Sequence, residues 1–250
     1  MDIQTFITNY REAFGEKAPL PVLFYYSDEP IARTEKINGC FFKGMASVRE
    51  GHPISLNAEV IGCGGGKLYT GYAPMNDFIP GFVSHKEKYK QTPQQVIDYV
   101  ASLELQSFTG KWLNFVRIDQ AETFDGMEGL LFFATPDMLA GLTTWAFFDN
   151  DREDAVSAIF GSGCSTVVSQ AVRENRRGGK RTFLGLFDPS VRPHVGADEL
   201  SFVIPASRFA SMKGTMRECC LFDTHAWAKV KARINEGGIE MKGETTETDV

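Results

Sequence analysis

Three cysteines stand where the chain turns into a predicted helix. Cys40 and Cys164 each follow a glycine and open an apolar helical pattern, and Cys63 lies in a glycine-rich loop between a predicted strand and a predicted helix. At a helix start the free backbone amides and the helix dipole stabilise a thiolate, the form of cysteine that binds metals or attacks electrophiles. The pattern therefore predicts a lowered thiol pKa and a soft-ligand or redox site. The alternative is that each cysteine packs as a small apolar side chain.

The spacing of these cysteines does not match a metal-binding sequence motif. No Cys-x-x-Cys occurs, so a zinc ribbon or a ferredoxin-type cluster is not indicated. A metal ion or an iron–sulfur cluster could still be held by Cys40, Cys63 and Cys164 from separate segments. Such a site needs a fourth ligand or an open position, and Asp188 and His194 are the candidates to complete it.

The glycine-rich loop Gly62–Gly66 surrounds Cys63 and precedes Lys67. It is neither a Walker loop nor a dinucleotide fingerprint, because Ile61, Lys67 and Leu68 stand where those motifs need other residues. A glycine turn between a strand and a helix can nevertheless hold an anion on bare backbone amides. The second hypothesis is therefore an anion site, whose ligand residues would be Gly62, Gly64, Gly65, Gly66, Lys67 and Arg192.

The cysteines and the glycine loop belong to a segment that recurs along the chain. Cys40 with the later Val48-Arg49-Glu50 matches Cys164 with Val172-Arg173-Glu174 at one constant spacing. After a one-residue insertion the match continues, pairing Cys63 with Asp188, Lys67 with Arg192 and Ile79-Pro80 with Ile204-Pro205. This similarity predicts an internal duplication, with a functional site between the two copies.

Composition limits the classes of protein that fit. The chain has 250 residues, 43% of them hydrophobic, and a formal net charge of −6. That charge argues against a nucleic-acid partner, which needs a clustered basic face. No apolar run is long enough to span a membrane, and the first residues, Met-Asp-Ile-Gln, do not resemble a signal peptide. With an odd count of 5 cysteines, which favours free thiols over disulfides, the sequence predicts a cytoplasmic protein.

The periodicity predicts a mixed α/β fold in which two similar halves pack as one compact unit. We expect one domain over residues 1–236, pseudo-repeats at about 16–105 and 125–220, and a frayed tail over 237–250. Helical spacing is predicted for 2–15, 40–50, 67–72, 92–104, 136–142, 155–159, 164–176 and 206–235. Strand patterns cover 21–26, 54–60, 112–118, 129–134, 182–187 and 201–204.

Several of these features together resemble one known family. They are Cys40 with its helix ending in Val48–Gly51, Cys63-Gly64-Gly65, Gly161-Ser-Gly-Cys164 and a closing Phe-Val-Ile-Pro205. In combination they are similar to the family called domain of unknown function 169, over about residues 18–215. The resemblance implies an intracellular prokaryotic α/β protein without an assigned reaction, carrying cysteines at positions 40, 63 and 164.

Three hypotheses of function follow. The first is a protein that binds a metal, an iron–sulfur cluster or another redox group through Cys40, Cys63 and Cys164 at the boundary of the repeats. The second is an enzyme or sensor for a small anionic metabolite, held by Gly62–Gly66 with Lys67 and Arg192, in which Cys40 or Cys63 is a nucleophile. The third is a structural or interaction protein whose cysteines only pack. The partner would be a small molecule or a metal, and a homo-oligomer is compatible with the sequence.

Overall fold

The computed structural model describes residues 1–236, so the predicted tail at 237–250 lies outside the described residues. The described residues form one sheet of seven strands in the order β2-β3-β1-β4-β7-β6-β5. The mixed α/β fold class is confirmed. The strands are β1 (Val22–Ser27), β2 (Ile54–Leu56), β3 (Trp112–Arg117), β4 (Met127–Ala134), β5 (Val156–Ala158), β6 (Thr182–Gly185) and β7 (Leu200–Pro205).

Nine α-helices connect and cover these strands within the described residues. They are α1 (Ile3–Phe14), α2 (Met45–Arg49), α3 (Gly64–Tyr69), α4 (Phe78–Gly81), α5 (Pro93–Ser102), α6 (Pro136–Phe148), α7 (Gln170–Arg176), α8 (Ala206–Met212) and α9 (His225–Glu236). Two π-helical turns extend this set, Phe82–Lys86 after α4 and Ser165–Ser169 before α7. No helix in this part of the chain is long and apolar enough to cross a membrane.

The centre of the sheet is antiparallel. β1 pairs with β3 on one side and with β4 on the other, so that Phe24 lies opposite both Phe115 and Gly129. A Cβ atom at Gly129 would lie 3.0 Å from the Phe24 ring, which explains the absence of a side chain at this position. Among the described strands, only β5 and β6 pair in parallel, at one edge of the sheet.

Alternation along the strands buries both faces of the sheet. Phe24, Phe115 and Phe133 point to one face, which is covered by helices α2 to α5 and α7. Leu130 and Phe132 point to the other face, which is covered by α1, α6, α8 and α9. Successive side chains of a strand point to opposite faces of the sheet. A continuous run of apolar residues along one strand therefore contributes to both apolar cores.

Three sequence predictions of local structure are wrong. The helix predicted over 206–235 is two helices, α8 and α9, separated by a non-helical segment over 213–224. The other two errors each have a local cause. The alternation from Ile54 forms a strand only to Leu56, because the Asn57 side chain accepts hydrogen bonds from the amides of Glu59 and Val60 at 2.9 and 3.0 Å and turns the chain. The helix predicted over 155–159 is the edge strand β5, because Thr182 donates its amide to the Ala155 carbonyl at 2.9 Å and starts a parallel pairing.

The predicted duplication is reproduced only in part. Cys40 and Cys164 both precede helical segments, a 3₁₀ turn and α2 over 41–49 and a π-helical turn and α7 over 165–176. The match fails at its end, because Ile79-Pro80 lies in helix α4 whereas Ile204-Pro205 ends strand β7. The Asn76 side chain accepts hydrogen bonds from the amides of Phe78 and Ile79, both at 3.2 Å, and this starts the helix in the first segment. A duplication of whole α/β halves is therefore not what the fold displays.

Candidate functional site

A cavity of about 580 Å³ lies on the sheet face that α2 to α5 and α7 cover. This volume is within the range of pockets that bind small organic molecules. The walls come from segments that are far apart in the sequence but meet beside the N-terminal ends of α3 and α7. These segments span residues 39–43, 63–69, 76–99, 160–164 and 188–194.

All three cysteines singled out by the sequence line this cavity. Cys40 precedes the 3₁₀ turn Phe41–Gly44, Cys63 is the N-cap of α3, and Cys164 precedes the π-helical turn before α7. The fold therefore brings together thiols that are distant in the sequence, and they form what we call the thiol wall (Cys40, Cys63 and Cys164). All five cysteines of the chain are free.

Two thiols of this wall, Cys40 and Cys164, have a raised pKa rather than the lowered pKa that their positions at helix starts predicted. Burial raises the pKa of Cys40 to about 11, with further contributions from Cys63 and Asp188. Burial also raises the pKa of Cys164 well above its ordinary value, followed by the effect of the neighbouring Cys63. The prediction is wrong for these two residues because desolvation outweighs the local amides and dipole. Both are neutral thiols at physiological pH.

The sulfurs of Cys63 and Cys164 have different hydrogen-bond partners. The amide of Gly66 donates to the Cys63 sulfur at 3.0 Å. The Cys164 sulfur lies 3.4 Å from the Ser162 hydroxyl and 3.9 Å from the Gly65 carbonyl, to which its S–H can donate. The Cys63 thiol is half-buried, whereas the Cys164 thiol is buried beside a carbonyl acceptor and burial raises the pKa of Cys40. Cys63 is therefore the member of the wall best placed to react or to ligate.

The predicted metal site is not preformed. Asp188 and His194, the expected additional ligands, also line the cavity. Among residues 1–236, however, no group of three or more His, Cys, Asp or Glu side chains is placed to hold a metal ion. Cys40, Cys63 and Cys164 thus share a cavity without forming a metal-ligand cluster.

The glycine-rich loop has two structural roles. Gly64 and Gly65 face the cavity, and a Cβ atom at either one would lie 3.9 Å from its nearest neighbour. Gly66 also lines the cavity, but a Cβ atom there would lie 2.8 Å from the Ile61 side chain and 2.9 Å from the Cys63 sulfur. Gly62 lies outside the lining, where its Cβ would come within 2.4 Å of the Ile37 carbonyl. Gly62 and Gly66 are thus required for close packing, whereas Gly64 and Gly65 leave room for a ligand.

Lys67 and Arg192, the cations of the predicted anion site, are not among the residues that line the cavity. The Arg192 guanidinium donates to the carbonyls of Gly196 and Ala197, both at 2.8 Å, and also to the carbonyl of Glu199. It therefore holds the loop before β7. Neither cation therefore joins the glycine loop in lining the cavity, as the anion hypothesis expected.

The cavity has a second group of lining residues, all aromatic, which the sequence patterns did not predict. We call it the aromatic wall, and its members are Tyr69, Phe78, Phe82, Tyr89, Tyr99 and Phe160. Phe78 and Phe82 stack with ring centroids 5.2 Å apart, and Phe78 is 68% exposed at the mouth of the cavity. The sequence signal for this wall was the spacing of Phe78 and Phe82, which are one helical turn apart in a short polar segment. Large apolar side chains that are exposed next to each other often mark a binding surface.

Comparison with known families gives one match. The model of the DUF169 family, described as an uncharacterised ArCR, matches residues 15–214. Neither a curated protein nor a solved structure matches the chain at a significant level. The matched range contains every residue of the thiol wall and of the aromatic wall. The chain belongs to the DUF169 family.

Proposed function

We propose that the protein binds a small organic molecule in the cavity, between the thiol wall and the aromatic wall. The observation that carries this proposal is that three thiols, two open glycines and six aromatic side chains from distant segments surround one volume of about 580 Å³. A purely structural role would leave this volume without an explanation, because protein interiors are normally packed to the density of organic crystals.

Cys63 has the central chemical role in this proposal. Its sulfur accepts the amide of Gly66 and is half-buried, whereas Cys164 is buried beside a carbonyl. Cys63 would contact the bound ligand through its half-buried sulfur, and the two neutral thiols would donate hydrogen bonds. The metal, iron–sulfur cluster or other redox group predicted from the sequence enters the proposal only as part of such a ligand, because the described residues hold no preformed metal-ligand cluster.

An enzyme or sensor for a small anionic metabolite is favoured less. Arg192 is engaged with backbone carbonyls, and neither it nor Lys67 lines the cavity. We also propose a cytoplasmic location, because all five cysteines are free and a reducing compartment keeps thiols in that state.

The first test compares the natural occupant of three proteins purified without oxygen. These are the wild type, Gly65→Leu and Gly214→Leu. A leucine at Gly65 projects into the cavity, whereas Gly214 has no atom within 4 Å of its added Cβ and lies outside the lining, so it is the matched control. Visible absorption, elemental analysis and mass spectrometry of the released small molecules should find an occupant in the wild type and in Gly214→Leu, and much less of it in Gly65→Leu.

The second test measures the order in which the cysteines react with N-ethylmaleimide, by peptide mapping of the folded protein. Cys63 should be modified before Cys40 and Cys164, and Gly65→Leu should slow its modification while leaving that of Cys220 unchanged. Cys220 packs against the opposite core and therefore serves as an internal control. Equal amounts of occupant in all three proteins, together with an unchanged rate at Cys63, would show that the cavity is not the binding site.

A further inference from the structure

A buried carboxylate faces the cavity without a cationic partner. Asp188 is 2% exposed and lies at the junction of the thiol wall with the loop that follows β6. Its two oxygens accept hydrogen bonds from the amide and the hydroxyl of Ser190, both at 2.8 Å. Within residues 1–236, no lysine, arginine or histidine forms an ion pair with it. Buried carboxylates are normally paired with a positive charge, so the burial of Asp188 indicates that a cationic partner is missing.

A second carboxylate and a phenol share this region of the cavity. Glu87 is half-buried in the lining, and its pKa is raised first by burial and then by the negative charge of Asp188. The pKa of the Tyr89 phenol is raised to about 12, again by burial and then by Asp188. Each of these groups experiences uncompensated negative potential from Asp188. A cation bound among them would relieve that potential.

The resident cations of the lining remain at its edge. Lys43 and Lys90 are exposed, and the Lys43 ammonium donates to the Asn38 carbonyl at 2.9 Å. The Lys90 ammonium lies 5.3 Å from the centroid of the Tyr99 ring, which shows that the aromatic wall accepts a cation on a ring face. The two lysines of the lining are therefore exposed, whereas Asp188 is buried and Glu87 and His194 are half-buried.

We infer that the ligand is an organic cation, a protonated amine or a cationic nitrogen heterocycle, whose positive nitrogen lies against Asp188 and whose apolar part lies against the tyrosines. This inference rests on the proposed function, because it assigns a chemical class to the occupant of the same cavity. Tyr69, Tyr89 and Tyr99 provide ring faces, and Asp188 with Glu87 provides the negative charge. Carboxylates beside aromatic rings are the combination that recognises organic ammonium groups.

The test uses three small probes that differ mainly in charge: phenethylamine, 2-phenylethanol and phenylacetate. Their dissociation constants are measured by ligand-observed NMR at pH 7 on the full chain emptied of its occupant. In the wild type, the amine should bind at least about tenfold more tightly than the acid, with the alcohol between them. Asp188→Asn should remove most of this preference by weakening the amine, with little change for the alcohol.

The variants separate an effect on ligand recognition from effects on folding and on the overall charge of the protein. Asparagine at position 188 keeps an oxygen acceptor for the Ser190 amide, and Glu87→Gln is a second variant that should reduce the preference by a smaller factor. Asp125→Asn is the control, because it removes the same charge from an exposed position outside the lining. It should leave all three dissociation constants unchanged.

Three outcomes would overturn the inference, and they differ in what they imply for the proposed function. Equal binding of the three probes, abolished in Gly65→Leu, would reject the organic cation but keep the cavity as the binding site. Displacement of the amine by millimolar Mg²⁺ at constant ionic strength, dependent on Asp188, would assign the position to a metal ion instead. Failure of all three probes to bind the wild type, with no effect of Gly65→Leu on the natural occupant, would reject both proposals.

Discussion

The two faces of the sheet are buried by the same alternation of side chains, yet they are packed differently. On the face covered by α1, α6, α8 and α9, aromatic rings interlock, with centroids 4.9 Å apart for Tyr10 and Phe14 and 5.4 Å apart for Phe14 and Trp227. On the opposite face the helices near α3 are short and rich in glycine, and they leave a cavity of about 580 Å³. The comparison teaches that the same alternation along the strands can support one fully packed layer of helices and another layer that leaves a cavity beside its short helices.

The largest effect is expected at the centre of the packed face. Trp145 is fully buried, and its indole N–H donates to the Thr215 hydroxyl at 3.2 Å. Trp145→Ala should lower the free energy of unfolding by about 3–5 kcal/mol, because a large void forms in the core and the hydrogen bond from the indole to Thr215 is lost. Urea unfolding followed by circular dichroism measures this change. A loss below about 1 kcal/mol would contradict the assignment of stability to this face.

A smaller effect is expected when one methyl group is added to each face. A Cβ atom at Gly141 in α6 would lie 2.3 Å from the Trp227 ring, whereas one at Gly65 in α3 would have its nearest neighbour at 3.9 Å. Gly141→Ala should destabilise the protein by about 1–3 kcal/mol through overpacking. Gly65→Ala should be neutral or stabilise by up to about 1 kcal/mol, because alanine favours a helix. Equal unfolding free energies for the two variants would remove the contrast between the faces.

The next prediction concerns the face of the sheet that carries the cavity, and it is tested by the pH dependence of Cys40 alkylation. Because the pKa of Cys40 is raised to about 11, its thiolate fraction should rise about tenfold for each pH unit from 7 to 10. The rate of reaction with iodoacetamide should follow this rise and level off only near pH 11. Glutathione in the same solution is the control, since a free thiol levels off near its ordinary pKa of about 8.5. A plateau for Cys40 at the same pH as glutathione would show that the thiol wall is not desolvated.

The smallest effect on stability is expected at the mouth of the cavity. Phe82 is 37% exposed and stacks on Phe78, which is 68% exposed. Phe82→Ala should cost less than about 1.5 kcal/mol, because the side chain is already in partial contact with water. The same variant should accelerate maleimide modification of Cys63 by widening the entrance. A loss comparable to that of Trp145→Ala would mean that the mouth is part of the core.

The sequence predicted the fold class, most strands and one wall of the cavity, since these depend on local patterns. Helix starts after glycine identified Cys40, Cys63 and Cys164 as residues of interest, and all three line one cavity. The aromatic wall was missed because Phe78, Phe82 and Tyr89 lie in a segment whose short helix depends on the Asn76 cap and a π-helical turn. Such features depend on single contacts, which periodicity does not reveal.

The predictions for the charged residues and for the cysteines fail for a different reason. Arg192 was assigned to a ligand because of its alignment with Lys67, but its guanidinium is satisfied by the carbonyls of its own loop. The pKa values of Cys40 and Cys164 are raised rather than lowered, since burial depends on residues from other segments. Asp188 was considered only as a substitute for cysteine, and its burial beside the cavity became apparent only from tertiary structure.

The π-helical turn before α7 indicates one change in the sequence that would disrupt the thiol wall but preserve the fold. A π turn contains one residue more than an α turn, so removing one residue from Ser165–Ser169 would leave a continuous α-helix. Everything before the deletion would then rotate by about 100° relative to α7, because each α-helical residue turns the chain by that angle. Cys164 would leave the cavity while α7 kept its packing on the sheet. A single-codon deletion at this position could therefore remove Cys164 from the cavity while the scaffold is kept, and an insertion could restore it.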